Sequence, residues 1–83
     1  MKIKYRSWLK SVTGTDLDDI ILPKSVETVA DLANFLSSYY ENASAVFELP
    51  EALRYVIDRR YVDPSHRVTD SDSVEIYPPV TGG

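Results

Sequence analysis

Two of the chain's three glycines, Gly82 and Gly83, stand at its end, and two of its five prolines, Pro78 and Pro79, shortly precede them. Glycine has no Cβ, so a Gly-Gly segment can pass a constriction and bring its backbone close to a reaction centre. Pro78 and Pro79 fix φ and favour a stiff polyproline II start, which lowers the entropy lost when the segment threads into a channel. Val80 and Thr81 extend it, and the six residues 78–83 span roughly 20 Å at about 3.3 Å each. The reactive group that such a tail presents is the main-chain carboxylate of Gly83. A carboxylate is inert in acyl transfer until activated, so the chemistry expected is an acyl-adenylate made with ATP. Neither GxGxxG nor GxxxxGK[ST] occurs in the sequence, so activation is expected in trans, on another protein.

The remaining side chains offer little other chemistry. There is no cysteine, which removes disulfides, thiolate metal sites and a thiol nucleophile together. Met1 holds the only sulfur, so a chain that carries sulfur would carry it as a C-terminal thiocarboxylate. The single histidine, His66, reads as a surface loop residue and leaves too little imidazole for a zinc site or a Ser-His-Asp triad. No bound metal or cofactor is expected. The formal net charge of -4 argues against a nucleic-acid surface and suggests a basic partner surface. No apolar run is long enough to span a bilayer, and "MKIKYRSW" has no signal-peptide apolar region, so a cytoplasmic location is expected.

The elements that would hold this tail follow from periodicity. The 83 residues, 43% apolar and 27% charged, suit one small folded domain, residues 1–77, followed by the tail, residues 78–83. "KIKYRSWL" alternates, with Ile3, Tyr5, Ser7 and Leu9 on one side and Lys2, Lys4, Arg6 and Trp8 on the other, which predicts a half-exposed strand. "SVTGTD" predicts a turn or short helical turn at Gly14, and "DLDDIILP" a second strand ending at Pro23. In that stretch Asp16, Asp18 and Asp19 read as a solvated strand edge. Thr28 and Asp31 form a capping box, so a helix is expected from Val29, with Val29, Leu32, Ala33, Leu36 and Tyr40 in one core-facing stripe. Phe35 and Tyr39 fringe it. Weak helical character follows around residues 43–47, with a break at Pro50. "LRYVID" and "RRYV" predict short strands around a turn, and "SVEIY" a last strand with Val74 and Ile76 on one face and Glu75 and Tyr77 on the other.

One helix across one mixed sheet is an α+β layout. If the first and last strands are parallel neighbours, as in a β-grasp arrangement, Trp8 and Tyr77 meet at one end of the sheet. They would then lie on the face away from the helix, as an aromatic docking patch beside the tail.

The closing "VEIYPPVTGG" resembles the ending of the small, sulfur-carrying subunit of molybdopterin synthase, the MoaD-type ubiquitin-like family. "TVADL", "ELP", "IDRRYV" and the position of Gly14 extend the resemblance over nearly the whole length. Three positions depart from the family's pattern: Arg6 replaces an apolar or aromatic residue, Lys10 an arginine, and Ser71 the glycine of a turn before the last strand. The resemblance implies a ubiquitin-like β-grasp fold and a non-enzymatic chain that serves an enzyme complex. A ubiquitin-activating-like adenylyltransferase, using ATP and Mg2+, would adenylate Gly83, and a sulfur donor protein would convert it to the thiocarboxylate. The tail would then enter the large subunit of the synthase, two small subunits flanking a large-subunit dimer, and deliver sulfur to a cyclic pyranopterin precursor. Trp8, Lys10 and Tyr77 are the partner-binding residues expected. Two other readings share a Gly-Gly end: a sulfur carrier for thiamine synthesis, against which Pro78-Pro79, Tyr77 and the length argue, and a ubiquitin-like protein modifier or binding module.

Overall fold

The computed structural model of the chain describes residues 1–48 and 52–79. The expected break at Pro50 and the segment 80–83, with Val80, Thr81, Gly82 and Gly83, lie outside the described residues. Five strands form one mixed sheet: β1 (Lys2–Tyr5), β2 (Leu17–Asp19), β3 (Arg54–Ile57), β4 (Arg60–Val62) and β5 (Ser73–Tyr77). Their order is β2-β1-β5-β3-β4. The first and last strands are parallel neighbours, with Ile3 against Val74 and Tyr5 against Ile76, and the other pairs are antiparallel. A parallel pair needs a long crossover, and the main helix α2 (Val29–Tyr39) lies within it, between β2 and β3. This is the ubiquitin-like β-grasp arrangement.

Alternation along the strands sends one set of side chains under the helix and the other to the open face. Ile3, Tyr5, Tyr55, Ile57, Val74 and Ile76 are buried and meet Val29, Leu32, Ala33 and Leu36 of α2 in a single core. Helix α2 starts where the sequence indicates. The Thr28 hydroxyl accepts a hydrogen bond from the Asp31 N–H at 3.2 Å, and the Asp31 carboxylate accepts from the N–H groups of Glu27 and Thr28 at 3.0 and 3.2 Å. Those backbone donors hold the Asp31 carboxyl below the usual carboxylate range. Tyr40 caps the other end, and a 3₁₀ turn (Glu41–Ala43) leads into the short helix α3, Ser44–Phe47, which buries Phe47.

The first strand is shorter than its alternation predicts. It ends at Tyr5 rather than Leu9, because Ser7 turns the chain with φ of 55° and a short helix, here α1, runs over Leu9–Thr13. Leu9 still reaches the core, but from that helix, whereas Ser7 is exposed. Gly14 ends the helix in the left-handed conformation, φ 80°, with its N–H on the Lys10 carbonyl at 3.0 Å.

The second strand covers only Leu17–Asp19, not the whole run to Pro23. Beyond it the Leu22 N–H bonds the Asp70 carboxylate at 2.8 Å instead of a strand partner. Burial still alternates there, with Ile20 and Leu22 half-buried and Ile21 exposed. Asp18 is not a solvated edge residue. Its register partner is Ile3, so it faces the helix-covered side, where it accepts hydrogen bonds from the Tyr5 hydroxyl at 2.8 Å and from the Tyr40 hydroxyl. Burial, then the bond to Asp18, pushes the Tyr5 phenol up and the Tyr40 phenol up to about 12.

The turn before β5 dispenses with glycine. The Asp72 N–H bonds the Thr69 carbonyl at 3.1 Å and the Asp72 carboxylate accepts from the Thr69 N–H at 2.8 Å. Ser71 is not among the residues with positive φ, so the serine fits this turn without backbone strain.

Candidate functional site

The site is the place where the chain leaves the sheet. Strand β5 is central, held by β1 on one side and β3 on the other, so its last residue, Tyr77, is fixed from both flanks. Tyr77 pairs with Arg54 across β3, and on the other side the Arg6 N–H continues the β1 ladder by donating to the Ile76 carbonyl at 2.9 Å. Pro78 is buried and Pro79 half-buried against the end of the sheet. A tail that departs from a strand anchored on both sides starts from a defined position and direction.

Around this exit lies an open concavity of about 550 Å³ lined by Ser7, Trp8, Arg54, Tyr61, Tyr77, Pro78 and Pro79. Two guanidinium groups stack on its aromatic rings, Arg6 over Tyr77 at 5.7 Å and Arg54 over Tyr61 at 5.9 Å. Arg6 also approaches Glu75 at 3.7 Å, so it is held by an anion and a ring at once. Stacking of this kind is worth about 0.5–1 kcal/mol at exposed sites. Its consequence here is geometric, because it limits the rotation of the ring that immediately precedes the prolines.

Of the residues singled out by sequence, Trp8, Tyr77, Pro78 and Pro79 meet at this concavity. Trp8 arrives from the N-cap of α1 rather than from a strand, and is 42% exposed. Lys10 is exposed on α1 and lines a separate hollow with Lys4, Arg6 and Asp16. Arg6, Arg54, Ser7 and Tyr61 were not expected at the tail root. The alternation of β1 places Arg6 on the open face, but its stacking depends on the β1 and β5 register, and Tyr61 depends on the β3 and β4 turn. His66 is exposed in the connector before β5. Among the described residues no group of three or more His, Cys, Asp or Glu side chains could hold a metal ion, and no helix is long and apolar enough to cross a membrane.

A β-grasp domain with this strand order and a helix across one face of its sheet has the ubiquitin-like fold. Comparison with known proteins narrows the class. The ThiS family model matches residues 3–83, and the chain belongs to this family of small ubiquitin-like sulfur carriers. Among solved structures, a Pyrococcus furiosus protein described as molybdopterin converting factor subunit 1 is 25% identical, with 95% of each chain covered and a TM-score of 0.75. Small archaeal modifier protein 1 from Methanosarcina acetivorans is 26% identical over 99% of this chain and 94% of that one, with a TM-score of 0.72. The corresponding protein from Haloferax volcanii, at 21% identity, 99% and 97% coverage and a TM-score of 0.77, shares the fold. No curated protein matches the chain.

Proposed function

We propose that the chain is the sulfur-carrying small subunit of a molybdopterin synthase. The observation that carries this reading is the tail root, where a doubly flanked central strand delivers Tyr77 and a buried Pro78 at the rim of the sheet, ahead of Gly82 and Gly83 in sequence. The likeness to the Pyrococcus furiosus protein supports the pathway. In the proposed reaction an oxygen of the Gly83 carboxylate attacks the α-phosphorus of ATP on an adenylyltransferase that holds the Mg2+, and pyrophosphate leaves. Hydrosulfide released by a donor protein then attacks the acyl carbon, AMP departs, and a thiocarboxylate remains. In the large subunit the sulfur passes to the pyranopterin precursor, and water restores the carboxylate. This chain binds neither nucleotide nor metal itself. Its own residues supply position: Pro78 and Pro79 aim the tail, Val80 and Thr81 extend it, Gly82 admits it, and Trp8, Tyr77 and Lys10 meet the partners.

The likeness to a small archaeal modifier protein favours a second reading, conjugation of the same activated carboxylate to a lysine amine. Both begin with adenylation and differ in the nucleophile that follows. Mass spectrometry of the chain recovered from its own cells separates them. Sulfur in place of oxygen at Gly83 is the expected result, and a lysine conjugate with no thiocarboxylate would overturn the carrier assignment. Deleting Gly83 is expected to abolish adenylation and dithiolene formation with an unchanged far-UV circular dichroism spectrum. A truncated chain as active as the full one would refute the mechanism.

A further inference from the structure

The two edges of the sheet differ. Strand β2 forms one of them, and its hydrogen bonds to β1, from Ile20 to Met1 and from Tyr5 to Asp16, leave the Leu17 N–H and C=O pointing outward. There the Thr15 hydroxyl donates to the Leu17 carbonyl at 3.0 Å and accepts from its N–H at 3.3 Å. A side chain of the same protein thus occupies the groups that a further strand would need. Strand β4 forms the other edge, and among the described residues no strand lies beyond it. Asp58 and Arg59, both at positive φ, make a two-residue turn, so Ile57 and Arg60 are the hydrogen-bonded pair that closes it and Tyr55 and Val62 are the next such pair. Tyr61, between them, turns its N–H and C=O away from β3. Arg59, Arg60, Tyr61 and Asp63 are all exposed, Tyr61 at 71%.

We propose that β4 is a self-pairing edge, to which a second copy of the chain adds antiparallel with Tyr61 opposite Tyr61, joining the two sheets into one. Charge selects both the occupant and the register. About a two-fold axis through Tyr61, Arg60 lies opposite Val62 of the other copy, and the flanking Arg59 lies opposite Asp63, once on each side of the axis. A slide of two residues one way sets Arg60 against Arg60, and the other way sets Arg60 against Pro64 and separates Arg59 from Asp63. In the matched register the outward N–H and C=O of each Tyr61 bond those of the other. The two Tyr61 rings, on each of which Arg54 stacks at 5.9 Å, become neighbours on the open face. On the opposite face the aliphatic stem of Arg60 covers the half-buried Val62. The β2 edge has no such match, because registers centred on Leu17, Asp18 or Asp19 all set aspartate against aspartate. The two-fold axis makes the two β5 strands run in opposite directions, so the two tails leave at opposite ends of the joined sheet, and the pairing does not depend on what Gly83 carries.

The test is sedimentation equilibrium of the full chain from about 10 μM to about 1 mM, with amide hydrogen exchange followed over the same range. The wild type is expected to pass from monomer to dimer, and its Tyr61 amide to become protected as it does, while the Leu17 amide does not change. Arg59→Glu and Asp63→Arg each set like charges across the seam, and each alone is expected to weaken dimerisation by about tenfold or more. Mixed in equal amounts the two variants are expected to associate again, because every seam contact in the mixed dimer then pairs opposite charges. Tyr61→Pro removes the outward N–H, leaves the β3 ladder intact and is expected to abolish the dimer. The wild-type series needs no substitution, so it decides the matter even where a variant folds poorly. A wild type that stays monomeric throughout would overturn the proposal and leave the edge to a strand of another protein. So would a dimer that leaves Tyr61 exchange unchanged, or folded variants that fail to associate when mixed. A Tyr61 amide protected at every concentration in a monomer would also overturn it, by showing the edge covered by the chain itself.

Discussion

Asp18 joins two tyrosines that the sequence sets far apart, Tyr5 on the first strand and Tyr40 at the end of the main helix. Tyr5 packs edge-on against Tyr40 at 5.8 Å and against Phe47 at 6.5 Å, so this is where the strand layer, α2 and α3 are tied together. The tie has a consequence at alkaline pH. An unfolded chain loses the Tyr40 proton near the ordinary value of 10.0, while the folded chain keeps it up to about 12. Between those values the unfolded state binds fewer protons, so stability falls as pH rises; below pH 10 both states are protonated and the contribution is intact. The urea midpoint, followed by circular dichroism, is expected to drop through that window, and less steeply in Tyr40→Phe. Equal slopes for the two proteins would show that the phenol is not held in this way. Asp18 was legible as an acid on a strand but not as an inward one, because its side depends on pairing with Ile3.

The elements divide by whether their signals are local. Helix α2 was legible because Thr28, Asp31 and the stripe Val29, Leu32, Ala33 and Leu36 act within a few residues of one another. The end of β1 was not, because "RSWL" continues a period of two by coincidence while Ser7 adopts a positive φ and starts α1. The hairpin between β3 and β4 shows another such choice. Its two turn residues, Asp58 and Arg59, have φ of 53° and 65°, the conformation that two-residue hairpin turns require and that asparagine and glycine adopt most readily. Arginine in the left-handed region costs about 1–2 kcal/mol, part of which glycine's greater unfolded-state freedom would offset. Arg59→Gly is therefore expected to stabilise the domain by about 0.5–1 kcal/mol in urea unfolding. A loss of stability instead would mean that the Arg59 side chain, which borders the open face beside Lys2 and Lys4, makes a contact worth more than the relieved strain.

At the scale of the molecule, stability and the proposed presentation of the tail depend on the same strand. Ile76 is fully buried on β5, with Tyr5 opposite on one side and Tyr55 on the other. Ile76→Ala is expected to cost about 2–5 kcal/mol by denaturant titration, a large share of the 5–15 kcal/mol typical of a domain. The same change should loosen the anchoring of Tyr77 and slow adenylation at temperatures where the variant is still folded. A variant that loses this stability yet is adenylated at the wild-type rate would separate the core from the presentation of the tail. By itself the sequence determined the α+β class, the helix and its cap, and the inward residues Ile3, Tyr5, Val74 and Ile76 of the first and last strands. These are properties of local periodicity and of which residue types are present. Tertiary structure decided where β1 stops, which way Asp18 points, and that Arg6 stacks on Tyr77. It also decided which charged residues neighbour one another on the open face, Lys4 beside Glu75 and Arg54 beside Tyr77, because such neighbours arise only when strands distant in sequence are set side by side in register.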